Sequence, residues 1–206
     1  MENTQEFESV FCGDEYWQAN ARINFSCNRF DLYATGYKDA GDRLVELVLA
    51  ELNGRDTLIY PIVFLYRQYI ELRLKEIIKQ GQVLLEKPEK TKITHDLEGL
   101  WADAKEIIGQ VFEHETDSSD SLKYAEHVIR EFSKIDRQSY SFRYPINKKE
   151  QPNLDGVKYI NIVRVALHVD KLSETIDGIS TGISVYLDDK QDMAFYDQQD
   201  ISRDYD

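Results

Sequence analysis

The stretch Leu58-Ile-Tyr-Pro61-Ile-Val-Phe-Leu-Tyr66-Arg67-Gln-Tyr-Ile-Glu71-Leu-Arg-Leu-Lys75-Glu-Ile-Ile-Lys-Gln80-Gly81 decides the fold. Its first nine residues are apolar on every side, with Pro61 in the first turns of a helix, where a proline is tolerated. A helix apolar all round belongs at the centre of a protein. From Arg67 to Lys79 charges recur at helical spacing, which predicts that the second half turns amphipathic and leaves the core. Asp56 or Thr57 is suited to cap the start. Gly81 is suited to stop the helix, at about Gln80.

Working outward, Leu44, Leu47, Val48 and Leu52 recur every three or four residues, so Asp31–Asn53 reads as a preceding helix that Asn53-Gly54 ends. Downstream, residues 82–93 form a polar loop. A third helix starts near Thr94 with core positions Leu97, Leu100, Trp101, Ala104, Ile107, Ile108 and Val111. Asp117-Ser-Ser-Asp120 caps a fourth helix that runs to about Lys134. Residues 138–158 break the helical pattern. Ser141-Phe-Arg-Tyr-Pro145 is extended there, because Tyr144 precedes a proline. The segment reads as either a short hairpin or an ordered loop. A last helix spans Tyr159–Leu187, with Val165, Val169, Leu172, Ile176, Ile179, Ile183 and Tyr186 alternating by four and three. That seam serves packing within the chain or a homodimer. Gly178 and Gly182 allow close approach of another helix. The expectation is an all-α, up-and-down bundle of four to five helices with one non-helical insert. One domain covers 1–187, residues 1–16 being uncommitted, and an acidic tail covers 188–206.

Among the 206 residues, 42% are hydrophobic and 31% charged, with only 10 Gly and 4 Pro, which is globular and unlike a loop-rich β fold. Cys12 and Cys27 follow an acidic start with no apolar leader, which predicts reduced thiols in the cytoplasm. No apolar run is long enough to span a membrane. A net charge of −13 argues against a surface for duplex DNA. The tail, with seven Asp (188, 189, 192, 197, 200, 204, 206) against Lys190 and Arg203, suits a basic protein partner or stays frayed.

Phosphate loops, paired CxxC motifs, His-Glu-x-x-His and nucleophile elbows are absent from the sequence. His95, His114, His127 and His168 stand at no metal-ligand spacing with one another, so neither a metal nor a cofactor is expected. Three features could carry chemistry. Arg67, Glu71 and Lys75 share one helix face at i, i+4, i+8, either as surface ion pairs or as a charged cluster at the mouth of the bundle. His95 sits at a helix start, where the dipole favours neutral imidazole and hence a general base; the alternative is a cap. Phe142-Arg143-Tyr144-Pro145 presents a forked cation between two rings. It suits phosphate and a base, or anchors the loop.

Taken in order, Pro61-Ile-Val-Phe-Leu-Tyr-Arg67-Gln-Tyr-Ile-Glu71-Leu-Arg-Leu-Lys75, His95-Asp-Leu-Glu-Gly-Leu-Trp101 and Phe142-Arg143-Tyr-Pro145 resemble bacterial proteins of the HEPN type over residues 30–187. The resemblance implies a helical bundle, commonly dimeric. It also implies metal-independent ribonuclease activity in toxin–antitoxin, CRISPR-associated or anti-phage systems. The family's usual signature, Arg followed after four to six residues by His, is missing; Arg164-Val-Ala-Leu-His168 is one residue short of it. Two functions follow as expectations. In the first, His95 is the acid or base toward a 2′-hydroxyl, Arg143 helped by Arg67 stabilises the phosphate, and Glu71 orients an arginine. Lys75, Tyr144 and Phe142 bind substrate. In the second, the chain is a non-catalytic, antitoxin-type subunit that binds a protein partner or a nucleotide.

Overall fold

A computed structural model of the chain describes residues 9–26, 28–88, 94–113 and 119–203. Cys27, His114, residues 1–8 of the N-terminal stretch, residues 89–93 of the polar loop, Asp117 and Ser118 of the linker, and 204–206 of the tail lie outside the described residues. Helices α1 (Arg29–Glu51), α2 (Arg55–Leu84), α3 (Leu97–Val111), α4 (Ser119–Ile135) and α5 (Ile162–Arg203) make an all-α bundle. Successive helices pack on one another, and α5 returns to α2, which closes the bundle around α2. No described helix is long and apolar enough to cross a membrane.

The Asn28 side chain caps α1 by accepting from Asp31 N at 3.2 Å. The turn into α2 needs two left-handed residues, Leu52 and Gly54, and only Gly54 adopts that conformation without strain. The Gly54 carbonyl takes Thr57 N and Leu58 N, so the residue that caps α2 is Gly54, not Asp56 or Thr57.

Burial along α2 departs from the expectation: Ile62, Val63 and Tyr66 of the apolar first half are in the core, but that half is not buried all round, and the charged half does not leave the core. In the apolar first half Tyr60 is 47% exposed, and Leu58, Ile59 and Phe64 are only half-buried. In the charged half Arg67, Glu71, Arg73 and Glu76 are all buried beside Tyr69, Ile70, Leu74 and Ile77. The charged half stays in the core because α1, α5 and the segment leading into α3 all bring partners to it. Gly81 does not stop the helix either. A Cβ there would lie 2.0 Å from Ile107 Cγ2, so the glycine lets α3 seat against α2 while the helix continues to Leu84.

Helix α3 buries Leu97, Leu100, Trp101, Ala104, Ile107 and Ile108, and Val111 packs partly against them, as its spacing predicts. In α4, Ala125, Val128, Ile129 and Phe132 face the core. The 136–161 segment is an ordered loop, anchored by buried Phe142 and pinched by one antiparallel bridge, Ile146 to Pro152.

Helix α5 differs from its predicted limits at both ends. It starts at Ile162, where Asn161 Oδ1 accepts Arg164 N at 2.9 Å, and Tyr159 lies outside it. It runs on to Arg203, so the acidic stretch continues the helix instead of fraying at Leu187. Neither Gly nor Pro interrupts the helix after Gly182, and Lys190 ties it to the Leu84 carbonyl and to Glu86. Of the predicted seam, Val169, Leu172, Ile176 and Ile183 are fully buried inside this chain, so packing within the chain accounts for these four; Val165 and Ile179 are half-buried and Tyr186 is 41% exposed. Gly182 meets the Phe112 ring, whereas nothing lies within 4 Å of a Cβ at Gly178.

Candidate functional site

Four of the predicted residues meet. Arg67 is wholly buried, and every one of its nitrogens is bonded: Nε donates to the Asp136 carbonyl at 3.0 Å, one terminal nitrogen to Glu71 at 2.8 Å, the other to the His95 carbonyl at 2.6 Å. Glu71 also accepts from Lys75 Nζ at 2.6 Å, and His95 Nδ1 lies 2.9 and 3.1 Å from its two oxygens. Burial pushes the Glu71 carboxyl up, but the bonds from Lys75, Arg67 and His95 outweigh it and hold the group below the usual carboxylate range.

The His95 side chain is 55% exposed while its partner carboxylate is 3% exposed. A carboxylate facing Nδ1 assigns the proton to that nitrogen. Nε2, which has no bond among the described residues, is then the nitrogen with a free lone pair. His95 is not in the first turn of α3. The helix starts at Leu97 with Asp96 as its cap, and the buried carboxylate on α2, rather than the helix end, orients the ring. Lys75 and His95 bond the same Glu71 oxygen, so an ammonium and an imidazole stand side by side, the first mostly buried and the second exposed.

Arg143 is elsewhere. Its Nε donates to the Ser139 carbonyl, and its guanidinium carbon lies 5.7 Å from the Phe64 ring centre and 5.8 Å from that of Tyr144. It makes no bond to His95, Glu71 or Lys75. It lines, with Phe142 and Tyr144, a cleft of about 1110 Å³ between the α1–α2 turn and the 141–163 segment. The predicted residues therefore divide into an acid–base cluster and a cleft.

No family model, no curated protein and no solved structure matches this chain.

Some residues were not legible in advance. Asp136 joins the two regions. Its Oδ1 accepts Tyr140 N at 2.6 Å and Ser141 N at 3.0 Å, which shapes the loop carrying Arg143, and its Oδ2 stands 3.8 Å from Arg67 Nε without a hydrogen bond. Nothing in the sequence near Asp136 pointed there. A second buried ion cluster, Arg73 with Glu76, Asp31 and Asp177, welds α2 to α1 and α5. The shortened Arg164–His168 pair forms no contact; His168 Nδ1 is instead bonded to the Tyr124 hydroxyl at 2.7 Å. Among the described residues, no three His, Cys, Asp or Glu side chains group to hold a metal ion.

Proposed function

We propose that the protein is a HEPN-like, metal-independent endoribonuclease of a bacterial defence or toxin–antitoxin system, with His95 as its acid–base residue. One observation carries this reading: an exposed imidazole whose Nδ1 is held by a buried carboxylate, itself held by Arg67 and Lys75. A carboxylate in this role fixes the tautomer and steadies the imidazolium. His95 Nε2 takes the proton from an RNA 2′-hydroxyl. The 2′-oxygen bonds to phosphorus, the bond to the 5′-oxygen breaks, and the leaving oxygen is protonated by solvent. Lys75, beside His95, is the cation placed to meet the phosphate there. Arg67 and Glu71 act as positioning residues, because their burial keeps them from substrate. Arg143 and Tyr144 line the separate cleft and Phe142 is buried, so none of the three has a part in the cleavage step.

The test is RNA cleavage by purified protein in EDTA. Wild type should cleave, and His95→Ala should lose on the order of 100-fold or more, the usual contribution of general acid–base catalysis. Glu71→Gln should lose less, with its pH profile altered. Absence of cleavage by folded wild type across varied RNAs would sink the proposal.

The α5 extension favours a second reading, a non-catalytic interaction subunit. Residues 188–196 carry Asp188, Asp189 and Asp192 with Met193, Phe195 and Tyr196 exposed at 68, 58 and 65%. An acidic helix with apolar side chains suits a basic protein partner. Deleting 188–206 would then abolish the complex. A homodimer, implied by the HEPN resemblance, would need a surface other than Val169, Leu172, Ile176 and Ile183, which are buried within the chain.

A further inference from the structure

The cleft holds more than the loop residues expected to bind a ligand. Arg55 and Lys158 line it together with Arg143. None of the three forms a salt bridge with any described carboxylate, although the chain carries 38 acidic residues against 25 Lys and Arg. Several other cations of the bundle, Lys38, Arg67, Arg73, Lys75, Lys105, Arg130 and Lys190, sit on carboxylates, while others such as Arg43 and Arg164 are spread over the surface outside the cleft. Asp56 is the one acidic side chain in the lining. Three cations against one carboxylate in a single concavity of a strongly acidic protein give it a local positive potential that suits an anion.

Flat rings accompany the charges. Tyr60, Tyr144 and Tyr159 line the same cleft and are 47, 48 and 95% exposed. An aromatic face left in water beside a cation suits a planar, electron-rich ring. The starts of α2 and α5, two of the longest helices, also border the cleft through Arg55 and Ile162, and their dipoles add positive potential to that of the side chains. The volume, about 1110 Å³, is slightly above the usual range of about 300–1,000 Å³ for small-ligand pockets.

We propose that this cleft is a binding site for a nucleoside phosphate, separate from the His95 cluster: Arg55, Arg143 and Lys158 take the phosphates, and Tyr60, Tyr144 or Tyr159 stacks on the base. His95, Glu71 and Lys75 do not line the cleft, so the ligand is an effector and not the bond that is cut. The site goes beyond the ribonuclease reading and stands if that reading fails.

Titration calorimetry on the full chain, with ATP and GTP as probes, tests it. Adenosine serves as the uncharged control and tripolyphosphate as the control without a ring. Saturable binding of at least one nucleotide at millimolar concentration or below is expected, tighter than that of either control. The Arg55→Ala/Lys158→Ala double variant should weaken it by roughly tenfold or more, the loss of two charge-assisted contacts. Tyr159→Ala, at a position too exposed to matter for folding, should narrow the gap between ATP and tripolyphosphate. His95→Ala should bind nucleotide as wild type does, which separates this site from the cleavage reaction. Three results would overturn the proposal: no saturable binding of either nucleotide, equal binding by the double variant, or tripolyphosphate binding as tightly as ATP.

Discussion

Glu71 takes donors from three side chains on two oxygens while almost wholly removed from water. Removing either member of such a buried pair leaves the other uncompensated, at a cost of about 3–5 kcal/mol. Arg67→Ala or Glu71→Ala should therefore lower the urea midpoint steeply, whereas Arg67→Met with Glu71→Leu together should cost less than the sum of the two alanine variants. The pH dependence has a definite sign. The folded-state carboxyl is depressed, so the stability it contributes is present above the unfolded value, about 4.3, and is lost as pH falls through the lower folded value. Glu71→Gln should flatten the acid limb of a stability–pH curve; an unchanged limb would mean that the three donors do not hold the carboxylate. At the same scale, His95 stood out as a candidate from its residue type, but its partner was not legible, because Glu71 lies 24 residues away on α2.

At the scale of the element, Gly81 shows why a local rule can miss. A glycine near the end of a helical pattern reads as a stop. Here it is a contact residue, and Gly81→Ala should destabilise by about 1–3 kcal/mol because the methyl would overlap Ile107. Combining it with Ile107→Ala should restore part of that loss; if the double variant is simply additive, the contact is not the cause. The α5 extension illustrates the complementary point. Once a helix is nucleated, adding residues avoids the nucleation cost, so an acidic stretch with no breaker continues it. Residues 191–196 are exposed, so their amides should exchange faster than those of 165–183 in native-state hydrogen exchange. Equal protection would imply a covering partner.

For the whole molecule, α2 acts as an axle whose two buried ion clusters face different neighbours: Arg67–Glu71 toward the start of α3 and the 136–144 loop, Arg73–Glu76 toward α1 and α5. Burial works against the Arg73 charge, yet Asp31, Glu76 and Asp177 outweigh it and raise the guanidinium pKa further. Packing of α5 within the bundle buries Val169, Leu172, Ile176 and Ile183 of the seam. Ile176→Ala should thus cost about 2–5 kcal/mol, as deletion of a buried Ile side chain does, with the same value at every protein concentration. A loss that shrinks as concentration rises would place the seam between two copies instead.

The sequence by itself determined the helical class, the core faces of α3 and α5, and the grouping of Arg67, Glu71 and Lys75 on one side of α2. Periodicity is a local property of the backbone, and a spacing of three to four residues puts side chains on one face wherever the helix lies. Only the tertiary structure decided that Arg67 and Glu71 are as buried as the apolar core of α2, that His95 joins them, and that Arg143 belongs to a separate cleft with Arg55 and Lys158. Depth and partnership depend on segments brought from far along the chain. A charged residue enters a core only where distant groups complete its bonds, and no local pattern records those groups.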